Sequence, residues 1–365
     1  MGVFWRRGLE LGRILGDEKD GIGMAENYFG CVIFLKTSMQ YRPLGKTRIT
    51  VSEIGFGSWG IGGRTKGATS YGTTDDDESK RALEAAFDAG ITLYDTSDLY
   101  GYGHSEELIG GVFAGRREKV VIASKVGYVK HGGPHDFSPV RIRQCAEASL
   151  RRLRTDYIDL YQLHSPSLDE LCGTPGAIDE MQKLKKEGKI RAIGISVKSP
   201  QDGFRAVTEF GAESVQVNFN LIDQRILDNE FIDFARDQGI GVIARTPLGF
   251  GFLSGTITDF SFSSDDHRSS WPESQLRRWA SAPSMFKFLN ESRSWTPTQI
   301  ALKFCLSFPA VSSVIPGILH PSEARENASA SDLSQFAQEE IARAREVYHA
   351  HEFFDSTLKK SKGKT

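Results

Sequence analysis

The sequence predicts an α/β fold, a (β/α)8 TIM barrel in which short buried strands alternate with helices. Three observations carry this prediction: eight apolar strand-like runs, helical segments between most of them, and no convincing fingerprint of an open nucleotide-binding sheet. The chain has 365 residues, a length at which α/β barrels fold as one unit. We therefore expect a single-domain barrel with a short N-terminal β-hairpin and a C-terminal helix.

The strand candidates begin after Arg42 and are runs of about four to six residues. They are Glu53–Gly57, Ile91–Asp95, Val120–Ser124, Tyr157–Leu160, Arg191–Ile195, Ser214–Asn218, Gly241–Ala244 and Ser312–Ile315. Short buried strands that alternate with helices are typical of parallel strands joined by crossovers. Eight such units favour a closed barrel, and an open doubly wound sheet is the alternative.

The helical candidates lie between these strands and carry recognisable end signals. The first, Asp75–Ala89, opens with acidic residues and stops before Gly90, which suits a helix N-terminus and a left-handed C-terminal position. The others are Pro139–Leu153, Ile178–Glu187, Gln201–Phe210, Leu227–Gln238, Pro297–Ser307 and Ser322–Ser331.

One glycine motif imitates a dinucleotide-binding fingerprint. The run from Gly55 to Gly60 fits G-x-G-x-x-G after a strand, and Asp75 follows at a suitable spacing. A Rossmann site also needs a helix that opens at the third glycine and an acid at the end of a second strand. Here Gly60 leads into a glycine-rich loop and Asp75 sits at a helix start. The motif therefore does not predict a Rossmann site.

The two ends of the chain differ from its middle. Residues 1–38 break into glycine and charge, and we expect them to form an N-terminal extension outside the fold. Residues 39–355 are the predicted barrel domain. Residues 356–365 form a basic C-terminal tail, which we interpret as a solvated terminus.

Composition argues against several classes of function. The formal net charge of -2 gives no reason to expect a nucleic-acid partner. No run of eighteen apolar residues is present, so we expect no membrane span. The four cysteines are widely spread, without zinc-ligand spacing, which predicts reduced thiols in a cytoplasmic protein and no metal site.

Ionisable side chains follow three successive predicted strands. Asp95 and Tyr100 come at and after the end of the second strand, Lys125 after the third, and His164 after the fourth. In a barrel the carboxyl ends of the strands meet at one opening, where catalytic residues collect. Burying four such groups together is costly without a role, so the pattern predicts a catalytic site.

These residues lie in segments that resemble the aldo-keto reductase superfamily. The matching stretches run from about Arg42 to Asn327 and read RPLGKTRITVSEIGFGSWGIGG, GITLYDTSDLYGYGHSEELIG, VVIASKVG, DYIDLYQLHSP, GKIRAIGIS and VIPG…ENASA. The resemblance implies an oxidoreductase that interconverts an aldehyde or ketone, including aldoses, and the alcohol by hydride transfer. It also implies a nicotinamide cofactor bound without a Rossmann fold.

The resemblance assigns a role to each of the four ionisable residues. Tyr100 would be the general acid that protonates the carbonyl oxygen. Lys125 would lower the pKa of the phenol, and Asp95 would orient the ammonium group. His164 would hydrogen-bond the carbonyl oxygen and steer it.

The resemblance also predicts cofactor contacts. Ser196 and Gln216 would hold the nicotinamide amide group, although Val197 stands where the family has a second polar residue. Arg245 stands in place of the usual stacking aromatic residue, and a guanidinium can also lie flat on a ring. The remaining predicted cofactor contacts are Gly57, Ser58, Leu248, Gly249, Gly251, Gly317, Glu326 and Asn327.

Cofactor choice and the substrate pocket are less sharply indicated. Family habit favours NADP, whereas Glu323 occupies a place near the 2′-phosphate and would repel it. On the family habit we predict NADP, and because of Glu323 we keep NAD as the alternative. Trp59 and Tyr128 are predicted to line the substrate pocket.

Two other functions remain open from the sequence. Some relatives of this fold bind the cofactor but serve as regulatory subunits with little turnover, and such proteins can keep all four ionisable residues. A lyase or epimerase that returns the hydride within one cycle is a further alternative. The expected partner is a small carbonyl or alcohol substrate, and the oligomeric state is not predicted.

Overall fold

The computed structural model describes residues 39–63 and 70–355. The predictions for residues 1–38 and 356–365 lie outside this range.

A short β-hairpin precedes the barrel, as predicted. Strands β1 (Tyr41–Pro43) and β2 (Thr50–Ser52) pair in antiparallel register. Leu44, Ile49 and Val51 from this hairpin are buried in one apolar cluster with inward-facing side chains of the barrel strands. The hairpin therefore closes the amino-terminal end of the barrel.

The barrel is an eight-stranded parallel sheet within the described residues. Its strands are β3 (Phe56–Gly57), β4 (Leu93–Asp95), β5 (Val121–Val126), β6 (Ile158–His164), β7 (Ile190–Ser196), β8 (Ser214–Asn218), β9 (Gly241–Arg245) and β10 (Val311–Ile315). They pair in chain order from β3 to β10. Single parallel bridges, Ile54 to Val314 and Gly57 to Gly317, close the ring. The closed barrel is thus confirmed over the open sheet.

Helices surround the strands. In the described part of the chain they are α1 (Asp76–Asp88), α2 (His104–Phe113), α3 (Pro139–Leu153), α4 (Leu168–Cys172), α5 (Ala177–Lys186), α6 (Pro200–Thr208), α7 (Arg225–Asp228), α8 (Phe231–Gln238), α9 (Glu273–Met285), α10 (Pro297–Leu306), α11 (Pro321–Ser329) and α12 (Gln338–Ala350). The start of α1 follows its acidic signal, because the Asp75 side chain accepts a hydrogen bond from Glu78 N at 2.8 Å. Helix α12 is the predicted C-terminal helix.

The helix predictions were wrong in two respects. The single helix predicted over Leu227–Gln238 is two short helices, because Glu230 between them adopts a left-handed φ of 60°. Helices α2, α4 and α9 were not predicted. In α2 the adjacent Gly110 and Gly111 weaken the helical signal, since glycine is a poor helix former.

Gly110 has a packing role that its neighbour lacks. A Cβ atom at Gly110 would lie 2.7 Å from the Cα atom of Leu153, at the end of α3, and still closer to the Arg152 carbonyl oxygen. A Cβ atom at Gly111 would meet nothing within 4 Å. Of these two glycines, therefore, only Gly110 permits the close approach of α2 to α3.

We expect opposite effects when the two glycines are changed. Gly110→Ala forces α2 away from α3 and should lower the free energy of unfolding by about 1–3 kcal/mol. Gly111→Ala should raise it by up to about 1 kcal/mol, because alanine favours the helix. Urea denaturation measures both changes, and equal effects of the two substitutions would contradict the packing role of Gly110.

Candidate active site

The four ionisable residues meet at the carboxyl end of the barrel. Asp95 is the last residue of β4, Lys125 lies in β5, His164 ends β6, and Tyr100 begins a short turn after β4. Parallel pairing brings these strand ends side by side. Asp95, Tyr100 and His164 line a cavity of about 680 Å³, and Lys125 is fully buried behind them.

Lys125 is held by three acceptors. Its Nζ donates to Asp95 Oδ1 at 2.5 Å, to the Thr96 carbonyl oxygen at 2.9 Å and to the Tyr100 hydroxyl at 3.2 Å. An ammonium group has three protons, so all of them are used. The side chain therefore acts on Tyr100 from a fixed position and has no donor left for a ligand.

Two amides hold the other oxygen of Asp95. Gln216 Nε2 donates to Asp95 Oδ2 at 2.7 Å, and Gln162 Nε2 donates to it at 3.2 Å. The sequence predicts only a cofactor role for Gln216 and does not single out Gln162. Gln162 lies two residues before His164 on the same strand, so strand alternation could have placed it on the same interior face.

The pKa of Tyr100 differs from the sequence prediction. Burial raises the pKa of Tyr100 by more than Lys125 lowers it, so the net shift is upward rather than downward. Burial also opposes the charge on Lys125, but Asp95 and Tyr100 outweigh it and the pKa of Lys125 is raised. At neutral pH the pair is therefore a phenol beside an ammonium ion.

His164 is neutral and fixed at one nitrogen. Burial, with the positive charges of Lys125 and Arg245, holds the pKa of His164 well below its usual range. Its Nδ1 lies 3.1 Å from Ser97 Oγ, so Nε2 is the nitrogen available to the cavity. The ring meets Tyr100 edge-on, with 5.9 Å between ring centroids.

Most predicted cofactor and substrate residues line the same cavity. These residues are Gly57, Ser58, Trp59, Tyr128, Gln216, Arg245, Leu248, Gly251, Gly317, Glu326 and Asn327. Ser196 and Gly249 do not line this cavity, and their cofactor roles stay predictions. Ser196 ends a strand with Oγ turned toward Gln216 Oε1, 3.5 Å away, and Gly249 is buried against Ile222 and Leu253.

The cavity wall carries polar atoms that fit a nicotinamide dinucleotide. Arg245 Nε and Asn327 Nδ2 are buried without a hydrogen-bond partner among the described residues. Buried donors are rarely left unpaired, so both suit a polar ligand. The lining includes Tyr100 after β4 as well as Glu326 and Asn327 on α11, so the cavity wall continues from the ionisable residues to that helix.

An aromatic cluster that the sequence analysis missed borders the cavity next to Trp59. The ring centroid of Trp59 lies 4.7 Å from that of His267 and 5.2 Å from that of Tyr71. Asp266 bridges to Ser70 and Tyr71 and ties the segment after β9 to the loop after β3. These residues are far apart in the chain, and no local sequence pattern predicts that they come into contact.

Residues 39–63 and 70–355 contain neither a helix long and apolar enough to cross a membrane nor a group of three side chains able to hold a metal ion.

The fold and the site together define a barrel oxidoreductase. A sequence profile of the aldo/keto reductase family matches residues 53–349. The chain is 34% identical over 296 residues to the aldo-keto reductase YhdN of Bacillus subtilis, covering 78% of this chain and 86% of the relative. The chain therefore belongs to the aldo/keto reductase family.

Other relatives extend this result. The chain is 32% identical over 321 residues to the NADH-specific methylglyoxal reductase of Escherichia coli, covering 81% of this chain and 94% of that one. Its structure resembles the glycerol dehydrogenase of Gluconobacter oxydans, with a TM-score of 0.71, 30% identity, and coverage of 88% and 98%. The holo form of an aldo-keto reductase from Bacillus halodurans gives a TM-score of 0.70 at 27% identity, covering 85% and 96%.

The buried Lys125–Asp95 pair should be energetically coupled. Lys125→Met leaves the Asp95 charge buried, and we expect it to lower the free energy of unfolding by about 3–5 kcal/mol. Adding Asp95→Asn should recover part of this loss, because no buried charge then remains. Tyr100→Phe, which keeps the pair, is the control. Strictly additive losses in urea denaturation would contradict this coupling.

Proposed function

We propose that this chain is an NAD(P)-dependent aldo-keto reductase that interconverts an aldehyde or ketone and the alcohol, with Tyr100 as general acid and base. One observation carries the proposal. The Tyr100 hydroxyl lies on the cavity wall 3.2 Å from Lys125 Nζ, which is itself held 2.5 Å from Asp95 Oδ1. A phenol beside a fixed buried cation is suited to reversible proton transfer.

In carbonyl reduction each residue of the site has a separate role. A bound reduced nicotinamide supplies the hydride that reaches the carbonyl carbon. Tyr100 donates its proton to the carbonyl oxygen, and Lys125 stabilises the phenolate that forms. Asp95 keeps Lys125 charged, while Gln162 and Gln216 keep Asp95 in place. In alcohol oxidation the same phenolate accepts the hydroxyl proton.

The substrate end of the cavity favours a small polar carbonyl compound. Trp59, Tyr71 and Tyr128 give it aromatic walls, and His131 adds a polar edge. Such a surface suits a short aldehyde or a sugar, which offer both hydroxyl groups and an apolar ring or chain face. The related methylglyoxal reductase and glycerol dehydrogenase are named for small substrates of this kind.

The cofactor preference that we propose is NADH, although the sequence favoured NADP. Glu323 Oε2 accepts hydrogen bonds from Leu319 N at 2.7 Å and His320 N at 3.1 Å, which fixes the carboxylate on the cavity wall. A fixed negative charge near the adenosine end repels a 2′-phosphate. Arg268, also on the wall, is paired with Asp266 at 2.5 Å and cannot freely compensate.

Two finer expectations from the sequence remain proposals. A cytoplasmic location follows from the cysteine usage alone. The regulatory-subunit alternative differs from the enzyme in turnover, so the rate of NADH and NADPH oxidation separates the two.

We expect Tyr100→Phe to abolish the oxidation of NADH and NADPH in the presence of small aldehydes. The loss should be several orders of magnitude in kcat, because the phenyl ring cannot supply a proton. Tyr102→Phe is the matched control, since Tyr102 is 53% exposed and does not line the cavity. Absorbance of the reduced nicotinamide reports both. Tight cofactor binding without turnover in the wild type would favour the regulatory subunit.

We expect Glu323→Gln to improve the use of NADPH without affecting NADH. The amide oxygen still accepts from the backbone, so the helix start is kept while the repulsive charge is removed. The KM for NADPH should fall about tenfold, the effect of roughly 1.4 kcal/mol. The ratio of the two KM values is the measurement, and an unchanged ratio would contradict the role of Glu323.

A further inference from the structure

Ser97 lies between the proposed catalytic residues and makes three hydrogen-bond contacts. It sits in the turn after β4, two residues beyond Asp95, and is fully buried. Its Oγ receives a hydrogen bond from Leu99 N at 3.1 Å. The same oxygen lies 3.1 Å from His164 Nδ1 and 3.2 Å from Asp98 Oδ1. The hydroxyl therefore bridges an imidazole and a carboxyl group.

A hydroxyl group has one proton to donate and two lone pairs. Leu99 N–H occupies one lone pair of Ser97 Oγ. The hydroxyl can then donate to Asp98 and accept from His164, or donate to His164 and accept from Asp98. These two arrangements place the imidazole proton on different nitrogens.

Asp98 is a carboxyl group that changes charge close to neutral pH. Burial, and to a smaller extent the charge of Glu106 on α2, raise the pKa of Asp98, whereas hydrogen bonds from Cys145 and Ser97 and the charge of Arg141 lower it; the net result is a pKa of about 6. The Tyr161 hydroxyl, on β6, also faces it. Asp98 is thus protonated below about pH 6 and charged above it.

His164 stays neutral through the same range. Burial is the main cause that lowers the pKa of His164. The positive groups around it lower the pKa further; these are Lys125, Arg245, His135 and His131. A change in the position of its proton is therefore a change of tautomer and not of charge.

We propose that Ser97 and Asp98 are positioning residues that select the tautomer of His164 and so bias the site toward carbonyl or alcohol. This inference rests on the proposed function. When Asp98 is charged, Ser97 donates to it, His164 Nδ1–H donates to Ser97, and Nε2 presents a lone pair to the cavity. When Asp98 is protonated, it donates to Ser97, Ser97 donates to Nδ1, and Nε2 carries the proton.

The proton transfers that convert the charged state of Asp98 into the protonated state balance. One proton enters from the cavity at His164 Nε2, the Nδ1 proton passes to Ser97 Oγ, and the hydroxyl proton passes to Asp98. The net change is one proton gained by Asp98. No other group is oxidised, reduced or charged.

The two tautomers suit different ligands. A protonated Nε2 donates to a carbonyl oxygen, whereas a bare Nε2 accepts from an alcohol hydroxyl group. Acidic conditions therefore favour the aldehyde or ketone, and alkaline conditions favour the alcohol. We expect the KM for the carbonyl substrate to rise about tenfold from pH 5 to pH 8, the effect of one lost hydrogen bond.

The direct test follows the ring nitrogens of His164 by ¹⁵N NMR of the full-length chain, with the signal assigned by its loss in His164→Gln. In the wild type the proton should move from Nε2 to Nδ1 as the pH rises from 5 to 8. Ser97→Ala and Asp98→Asn should each abolish this pH dependence. Asp76→Asn, an exposed carboxylate paired with His104, is the control and should keep it.

The kinetic arm uses the same variants. The KM ratio for the carbonyl substrate between pH 8 and pH 5 should fall from about ten in the wild type to near one in Ser97→Ala and Asp98→Asn. The proposal is overturned if His164 keeps one tautomer in the wild type, or if the folded variants switch as the wild type does. Either variant alone suffices if the other does not fold.

The outcomes also separate this inference from the proposed function. Turnover that depends on Tyr100 with a fixed His164 tautomer refutes only the inference. A tautomer switch in a protein that oxidises neither NADH nor NADPH refutes only the proposed function.

Discussion

The ion pair between Lys125 and Asp95 is the interaction on which the site depends. Both groups are buried at the end of the barrel, where an unpaired charge would cost several kcal/mol. Fixed partners offset this cost: the Thr96 carbonyl oxygen and the Tyr100 hydroxyl from the segment after β4, and the amides of Gln162 on β6 and Gln216 on β8. The parallel barrel brings these segments together at its carboxyl end.

In the mechanism that we propose, that pair would let one tyrosine serve both directions of the reaction. Burial favours the neutral phenol, whereas the neighbouring ammonium favours the phenolate. The first effect keeps a proton on Tyr100 while no charge has formed elsewhere. The second becomes important as the proton leaves, since Lys125 cannot turn away toward solvent. Burial therefore stabilises the neutral phenol before the proton leaves, and the cation stabilises the phenolate as it forms.

Strand ends were predictable from the sequence, and side-chain conformations were not. Asp95, Lys125 and His164 were found because the end of each buried run is visible in its apolar pattern. The cofactor role of Ser196 stays a prediction, and its hydroxyl turns to Gln216, a choice of rotamer that no sequence pattern records. The cofactor role of Gly249 also stays a prediction, because loop backbone angles decide which residues of a turn face the cavity and no sequence pattern gives those angles.

The hairpin at the other end of the barrel has a consequence for the chemistry. Leu44, Ile49 and Val51 close that end, so the barrel is blocked at its amino-terminal end and the cavity lies at its carboxyl end. In the proposed mechanism, water would reach Tyr100 through the open carboxyl end of the barrel, which a bound substrate covers. Each reduction would use the proton held on Tyr100, and that proton would be replaced after the product leaves. The rate of the whole cycle would then depend on how fast the product vacates the open end.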